Sequence, residues 1–307
     1  MNASHIEQFR AAIEAAGMVP PDYIEPDGRL KRFSPTGKRS DLAGWCVLFD
    51  DGVTAGVFGN WKTGLHSTWC GKSDTQMTNA ERDALRLHLR EAKLQRDAEL
   101  AQRHQEASYT AMQRWQAAAP AVQHPYLLAK GVRAHGLRID GSQLLVPVRN
   151  GGVLTSLQTI YPDSAKRFLS GGRTRGGYHA IGTLVQAQAL VLAEGYATAA
   201  TVFEATGLPV AMCFNSGNLL AVARTLRSKH PELALLVAAD DDHRTEGNPG
   251  ITAATDAALS VGGLVVKPQF PAHRPPKATD FNDLAALAGL SAVRACFAES
   301  MEGIAPC

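Results

Sequence analysis

The sequence predicts an α/β protein whose main domain is a parallel sheet between helices. Two short aliphatic runs, residues 189–193 and 233–239, each end directly on acidic residues. A buried parallel strand has this pattern when it carries carboxylates at its C-terminal end. Predicted strands and helices alternate from there on, which favours parallel strands joined by crossover helices. The carboxyl ends of such strands meet at one edge of the sheet, where α/β proteins bind ligands.

Acidic residues follow both runs: Glu194 ends the first, and Asp240 and Asp242 follow the second. Like charges that lie so close repel one another, and a divalent cation with oxygen ligands compensates them. Asp280 and Asp283 are expected to add acids from a third strand end, or only to cap a helix. We expect Asp240 and Asp242 to bind Mg²⁺ or Mn²⁺ directly, and Glu194 to be a general acid/base or an indirect ligand. The predicted metal site comprises all five acids, of which Glu194, Asp240 and Asp242 are the catalytic candidates.

Composition and charge narrow the class of protein. The chain has 307 residues and a net charge of +2, so a nucleic-acid contact would depend on a local basic patch. Its five cysteines lie far apart and form no C-x-x-C pair, which argues against a disulfide framework and a cysteine zinc site. The sequence shows neither a signal pattern nor an apolar run of spanning length. We therefore expect a cytoplasmic protein with no zinc and no membrane contact.

The N-terminal quarter predicts a short helix over residues 4–17 and then a small β-rich module. Glycines punctuate short apolar runs across residues 29–70, which is typical of an antiparallel sheet with tight turns. Tryptophans interleaved with basic residues can form a single-strand-binding face, although a small sheet also needs tryptophans for its core. The candidate DNA-contacting residues of this module are Trp45, Trp61, Lys62 and Trp69.

A long helix and a basic segment come next. Residues 78–118 begin with a capping box and carry charges of both signs, which predicts a solvated linker helix. Residues 144–160 predict a β-hairpin, and the glycine-rich segment 166–178 offers cations and backbone N–H groups to phosphates. A solvated loop is the alternative for that segment, and its place directly before the acidic sheet favours phosphate binding. The candidate nucleotide- or DNA-binding residues are Arg149, Lys166, Arg167, Arg173, Arg175 and Asn215.

Residues 190–283 resemble the TOPRIM domain that DnaG-type primases share with type IA and II topoisomerases, OLD-type nucleases and recombination proteins. The strand-borne Glu194 and the Asp-x-Asp pair of Asp240 and Asp242 carry the resemblance. It implies a four-stranded parallel sheet between helices and magnesium held by the Asp-x-Asp pair. Asp241 departs from the family pattern, in which the middle position is usually small.

The preceding segment is similar to the basic subdomain of DnaG-type primase cores. The similarity rests on Pro-Val-Arg at 147–149, Lys-Arg-Phe-Leu-Ser at 166–170 and Lys-Gly-Val at 130–132, and it covers residues 124–288. It implies that Arg149, Lys166 and Arg167 contact template or incoming nucleotide, as in the short primases of plasmids, phages and integrative elements.

These features divide the chain into four predicted parts. Residues 1–76 form the β-rich module, which has too few cysteines for a zinc ribbon and is expected to be a metal-free, ribbon-like DNA-binding module. Residues 77–120 form the linker helix, residues 121–186 the basic subdomain and residues 187–307 the TOPRIM domain.

The sequence thus predicts a DNA primase that joins ribonucleoside triphosphates on single-stranded DNA by metal-dependent phosphoryl transfer. A TOPRIM nuclease that uses the same ions, and a non-catalytic DNA-binding replication accessory protein, stay open as alternatives. The expected partners are a single-stranded DNA template and ribonucleoside triphosphates, with a separate replicative helicase left open.

Overall fold

The structure is a computed structural model that describes residues 3–302. The chain forms two compact units, Met1–Gln102 and Arg103–Cys307, and each is described by itself. The long helix α2, Asn79–Ala117, begins in the first unit and ends in the second. Its predicted capping box is present: the Thr78 N–H donates to Glu81 Oε2 at 2.8 Å, and the Glu81 N–H donates to Thr78 Oγ1 at 3.3 Å.

The first unit is a four-stranded antiparallel sheet, as the glycine-punctuated pattern predicts, and the structure adds a helix on each of its faces. Alternate residues of its second strand point to opposite sides. Cys46 and Leu48 pack with Phe9 of the first helix, whereas Trp45 and Val47 pack with Ala92 of α2. The elements are α1 Ala3–Ala15, β1 Lys31–Phe33, β2 Gly44–Phe49, β3 Ala55–Asn60 and β4 His66–Cys70.

The second unit opens with a five-stranded antiparallel sheet in the order β5-β6-β7-β8-β9. The predicted hairpin joins β7 to β8 through Gly151 and Gly152, whose φ angles of 61° and 88° suit a primed turn. Ala107 and Ala111 of α2 are buried in this unit, so the predicted linker helix also packs against protein. The elements are β5 Ala119–Pro120, α3 Pro125–Lys130, β6 Arg138–Asp140, β7 Gln143–Asn150, β8 Val153–Ile160 and β9 Lys166–Phe168.

A second five-stranded sheet follows, in the order β10-β12-β11-β13-β14. Its last four strands in that order are parallel, as predicted, and the antiparallel edge strand β10 is an addition that the sequence did not indicate. The elements are β10 His179–Ile181, β11 Ala189–Ala193, α4 Tyr196–Thr206, β12 Val210–Met212, α5 Ser216–Lys229, β13 Ala234–Ala238, α6 Pro249–Val261, β14 Leu264–Val266 and α7 Phe281–Glu302.

Helices cover both faces of this sheet because its inner strands are aliphatic throughout. Val191 and Leu236 belong to the cluster that includes α4 and α7, whereas Leu190 and Leu235 pack with α5 and α6. The two sheets of the second unit are also joined through their backbones. The Arg149 N–H donates to the Tyr178 carbonyl at 3.1 Å, and the Tyr178 N–H donates back to the Arg149 carbonyl at 3.0 Å.

Helix α7 is, among the described residues, the one helix long and apolar enough to span a membrane by length and composition. The sequence was not expected to contain such a segment. Gly289 interrupts the helix with φ 79° and ψ 169°, and Phe281, Leu284 and Phe297 are buried in the core of the second unit. The core helix of a globular protein passes the same test, so this helix is weak evidence for a membrane.

Gly250 at the start of α6 permits a close approach between that helix and the end of β13. A Cβ atom at this position would collide with the backbone oxygen of Asp240. We predict that Gly250→Ala lowers the free energy of unfolding by about 3 kcal/mol, because a backbone atom cannot move aside as a side chain can. Denaturant unfolding measures the loss.

Gly195→Ala is the matched control, since no described atom lies within 4 Å of its added Cβ and its φ of −108° suits any residue. Equal losses for the two variants would contradict the proposed backbone collision.

Candidate metal and phosphate site

Five carboxylates form the acidic cluster at the carboxyl edge of the parallel sheet. Strands β11 and β13 are neighbours, and their register pairs Ala193 with Ala238. Glu194 therefore leaves β11 beside the end of β13, where Asp240 follows two residues after the last strand residue. Each member of the cluster acts electrostatically on another member or is acted on by one. The cluster consists of Glu194, Asp240, Asp242, Asp280 and Asp283.

Asp240 is the most perturbed member of the cluster. Burial, reinforced by the surrounding carboxylates of Asp280, Glu194, Asp242 and Asp283, raises its pKa from 3.8 to about 8. Its Oδ1 atom is buried and has no hydrogen-bond partner among the described residues. A buried polar atom without a hydrogen-bond partner lowers the stability of the fold. A cation bound here would supply that partner and would also offset the repulsion among the carboxylates.

Glu194 lies beside the beginning of α5. Burial raises the pKa of this carboxyl, although the Ser216 N–H donates a hydrogen bond that favours the ionised form. Asp242 raises the pKa further, and Lys166 lowers it. A carboxyl with a raised pKa and a fixed donor is a candidate to accept and release a proton.

The carboxylate of Asp241 does not join the acidic cluster, because other side chains bind it. Arg274 binds its carboxylate and also donates to its backbone carbonyl at 2.8 Å, and the Asn248 side chain donates to its Oδ1 at 2.7 Å. Burial alone would raise the pKa of Asp241, but these hydrogen bonds hold it below its usual value. With Asp241 occupied, Asp240 and Asp242 are left to face the cluster, and Asp242 Oδ2 accepts from the Gly250 N–H at 3.1 Å.

Asp280 and Asp283 come from the start of α7, not from a strand end as predicted. Residues 267–280 run as a loop after β14, and the two aspartates then close the first turn of the helix. The Asp283 N–H donates to Asp280 Oδ1 at 2.8 Å, and the Thr279 N–H donates to Asp283 Oδ2 at 2.8 Å. Capping is thus one role of both residues. Burial also raises the pKa of Asp280. Its charge in turn raises the pKa of Glu194 and of Asp240, which places this carboxyl in the electrostatic cluster as well.

The cluster fits an open magnesium site better than a closed metal cage. Within residues 3–302, no three His, Cys, Asp or Glu side chains are arranged so that they could hold a metal ion by themselves. Magnesium usually takes only one or two carboxylates from the protein and completes its shell with waters and substrate phosphates. The unpartnered Oδ1 of Asp240 matches that requirement, and its oxygen is a ligand type that magnesium prefers.

Lys166 brings positive charge to the cluster. Its side chain reaches solvent, but the protein around its ammonium lowers the pKa of Lys166, and Lys130 acts in the same direction. The acids Asp280, Glu194 and Asp240 oppose that shift, so they lie within electrostatic range of the ammonium. Lys130 was not among the predicted site residues, although its Lys-Gly-Val stretch was part of the primase-like pattern.

The structure does not bring the other predicted cations to the acidic cluster. Arg167 points to the opposite face of β9, where its guanidinium lies 5.7 Å from the Tyr161 ring centroid. Arg149 donates to the Gly152 carbonyl at 3.1 Å in the β7–β8 hairpin. The remaining candidates occupy exposed positions: Arg173 and Arg175 lie in the loop before β10, and Asn215 lies directly before α5.

In the first unit, the predicted tryptophans serve the core. Trp45 is 2% exposed, and its ring centroid lies 5.4 Å from that of Trp61. Trp69 packs 5.5 Å from Phe9, and the Lys62 ammonium pairs with Asp41 at 2.9 Å. These contacts match the core role that the sequence left open, and DNA binding by this module stays a prediction.

The sheet that carries the acidic cluster matches a known protein family. Residues 189–291 match the family model described as the Toprim domain. The chain carries a Toprim domain. The match begins with β11 and extends into α7, so it contains Glu194, Asp240 and Asp242.

Two proteins of Escherichia coli, both named DNA primase TraC, resemble the chain beyond its Toprim domain. One is 36% identical over 281 residues, which are 86% of this chain and 26% of that protein. The other is 35% identical over 300 residues, which are 92% of this chain and 20% of that protein. The predicted resemblance to primases with a Toprim domain is confirmed, and the chain spans about a quarter or less of the length of these relatives.

A solved structure of the Aquifex aeolicus primase, comprising its zinc-binding and RNA polymerase domains, is also similar. It is 12% identical, covers 97% of this chain and 86% of its own, and superposes with a TM-score of 0.42. Similarity at that level is too weak to support conclusions about the site.

The raised pKa of Asp240 predicts how stability depends on pH. Between 3.8 and about 8 the folded protein keeps a proton that the unfolded chain has released, so the free energy of unfolding falls as the pH rises through that range. Asp240→Asn should remove this contribution and therefore raise the melting temperature more at pH 8 than at pH 5. Calorimetry at pH 5 and pH 8 measures these melting temperatures, and repeating it with Mg²⁺ measures the stabilisation by the ion.

Added Mg²⁺ should stabilise the unsubstituted protein at pH 8 more than it stabilises the Asp240→Asn variant. Asp256→Asn, an exposed acid on α6, is the control and should follow the unsubstituted protein. A uniform shift of all three proteins with pH would contradict the assignment to Asp240.

Proposed function

We propose that this chain is a DNA primase that joins ribonucleoside triphosphates into short RNA primers on single-stranded DNA. The supporting observation is the electrostatic interaction between opposite charges: Asp280, Glu194 and Asp240 of the acidic cluster all act on the ammonium of Lys166, and Lys130 acts on it as well. Such a site can hold a cation and a polyphosphate side by side. The similarity to TraC primases over most of the chain supports the same reaction.

Asp240 and Asp242 would hold magnesium, for which manganese could substitute, with the remaining acids of the cluster adding to the negative field. Bound there, the ion would supply Lewis-acid stabilisation of the charge that develops on phosphate oxygens during transfer. Asp241 would act as a positioning residue, because Arg274 and Asn248 fix the turn that carries the two ligands.

Lys166 and Lys130 would bind the triphosphate of the incoming nucleotide. Phosphate charge next to these ammonium groups offsets their mutual repulsion and raises the pKa of Lys166 back toward its usual range. The more distant Arg149, Arg173 and Arg175 would follow the backbone of the template, since cations along a groove bind phosphates independently of sequence.

Glu194 would act as the general base that accepts the proton of the attacking hydroxyl. Its raised pKa and its hydrogen bond from the Ser216 N–H suit it to accept a proton from the 3′-hydroxyl that attacks the α-phosphate. The hydroxyl oxygen forms the new phosphoester bond, and pyrophosphate leaves. A cytoplasmic location and a separate replicative helicase as partner belong to this proposal as well.

Primer synthesis by the purified chain tests the proposed function. With Mg²⁺, four ribonucleoside triphosphates and a random single-stranded DNA template, short RNA products should form. Asp240→Asn and Asp242→Asn should each lower the rate by roughly 100-fold or more, because each removes charge where the metal binds. Asp256→Asn on the exposed face of α6 is the matched control and should keep normal activity.

The alternative functions give different outcomes. A nuclease would shorten the DNA when no nucleotide is added, and a replication accessory protein would bind DNA equally well after Glu194→Gln without making RNA in either form. Absence of RNA products from the folded, unsubstituted chain would overturn the proposed function.

A further inference from the structure

Strand β9 directs two different side chains toward the acidic cluster. Successive residues of a strand point to opposite faces, so Lys166 and Phe168 share one face and Arg167 occupies the other. The register confirms the geometry, since Ile160 pairs with Lys166 and Gln158 with Phe168 on β8. The ammonium of Lys166 is 5.3 Å from the Tyr126 ring centroid and within range of the acids. Phe168 therefore stands next to the ammonium that would bind phosphate.

The ring of Phe168 is only partly covered by protein. It remains 36% exposed and meets Phe214 edge to face, with the centroids 5.5 Å apart and the planes at 64°. Phe214 is 8% exposed and follows the end of β12, so it belongs to the sheet that carries the acidic cluster. The pair thus joins the basic sheet to the Toprim sheet at the edge where the acids lie.

Phe214 holds a backbone conformation that a phenylalanine seldom adopts. Its φ is 75°, in the left-handed region that favours glycine. Two residues later, the Ser216 N–H donates to Glu194. The turn thus places an aromatic ring against Phe168 and a donor on the predicted proton acceptor. A glycine could make this turn without strain, so what phenylalanine adds at this position is its ring.

We propose that Phe168, backed by Phe214, is the stacking surface for a nucleobase whose phosphates are bound by Lys166. This inference deepens the proposed primase function and rests on it for the identity of the ligand. Aromatic rings accept any base because every base has a π-face, and neighbouring cations bind its phosphates. Either the incoming nucleotide or the template strand can supply the base.

Substitution of Phe168 separates stacking from packing. Phe168→Ala should raise the KM for ribonucleoside triphosphates roughly ten-fold if the incoming nucleotide stacks there, or weaken binding of fluorescein-labelled oligothymidylate by a similar factor if the template does. The value of kcat should change much less, because the ring does not touch the reacting atoms. Phe168→Tyr keeps an aromatic face and should behave like the unsubstituted protein in both measurements.

Phe168→Leu is the decisive control. Leucine preserves apolar contact with Phe214 but has no π-face, so stacking predicts a loss of binding as large as that of alanine with an unchanged melting temperature. Full recovery of KM and of oligothymidylate affinity by leucine would overturn the inference in favour of packing alone.

Failure of the inference and failure of the proposed function are distinguishable. If the unsubstituted chain makes no RNA, the proposed function fails, while the affinities for ATP and for oligothymidylate still report whether Phe168 stacks a base. If it makes RNA and the alanine variant changes neither KM nor DNA affinity, only the stacking surface is wrong.

Discussion

Repulsion among carboxylates at the ends of β11 and β13 is the constraint on which the rest of the site depends. The aliphatic strands force Glu194 and Asp240 to leave the sheet side by side, and burial keeps water from screening them. The fold offsets part of that cost with the Ser216 and Gly250 amides and with the ammonium of Lys166. The unpartnered oxygen of Asp240 shows that the compensation is incomplete, and an incoming cation would complete it.

The parallel sheet and its acids could be predicted because strand ends carry a local signal. An aliphatic run followed at once by Glu194 or Asp240 gives both the strand and its direction. The origin of Asp280 could not be found in this way. It reaches the cluster through a loop over residues 267–280, whose path depends on contacts with Asp241, which is distant in sequence: Arg274 binds the Asp241 carboxylate, and the Asp241 N–H donates to the Thr279 carbonyl.

The choice between neighbouring cations also needed the structure. Lys166 and Arg167 are adjacent in the sequence and equally charged, yet a strand of three residues places them on opposite faces, and so short a strand shows no readable alternation. The turn at Phe214 could not be predicted from the sequence either. Its backbone is in the left-handed region, which is expected at glycine or asparagine and not at phenylalanine. The sequence allowed two interpretations of the tryptophans in the first unit. The core interpretation is supported by Trp45, which is buried, and by Trp61 and Trp69, which are partly buried against the hydrophobic clusters.

The paired backbone hydrogen bonds between Arg149 and Tyr178 have a consequence for how the site is maintained. They tie the end of β7 to the residue before β10, so main-chain atoms rather than side chains set the gap between the cationic strand and the acidic edge. Replacement of side chains around the site can therefore retune its charge while the spacing stays constant. A one-residue shift in the pairing of β7 with the segment before β10 would alter that spacing with every charge still in place.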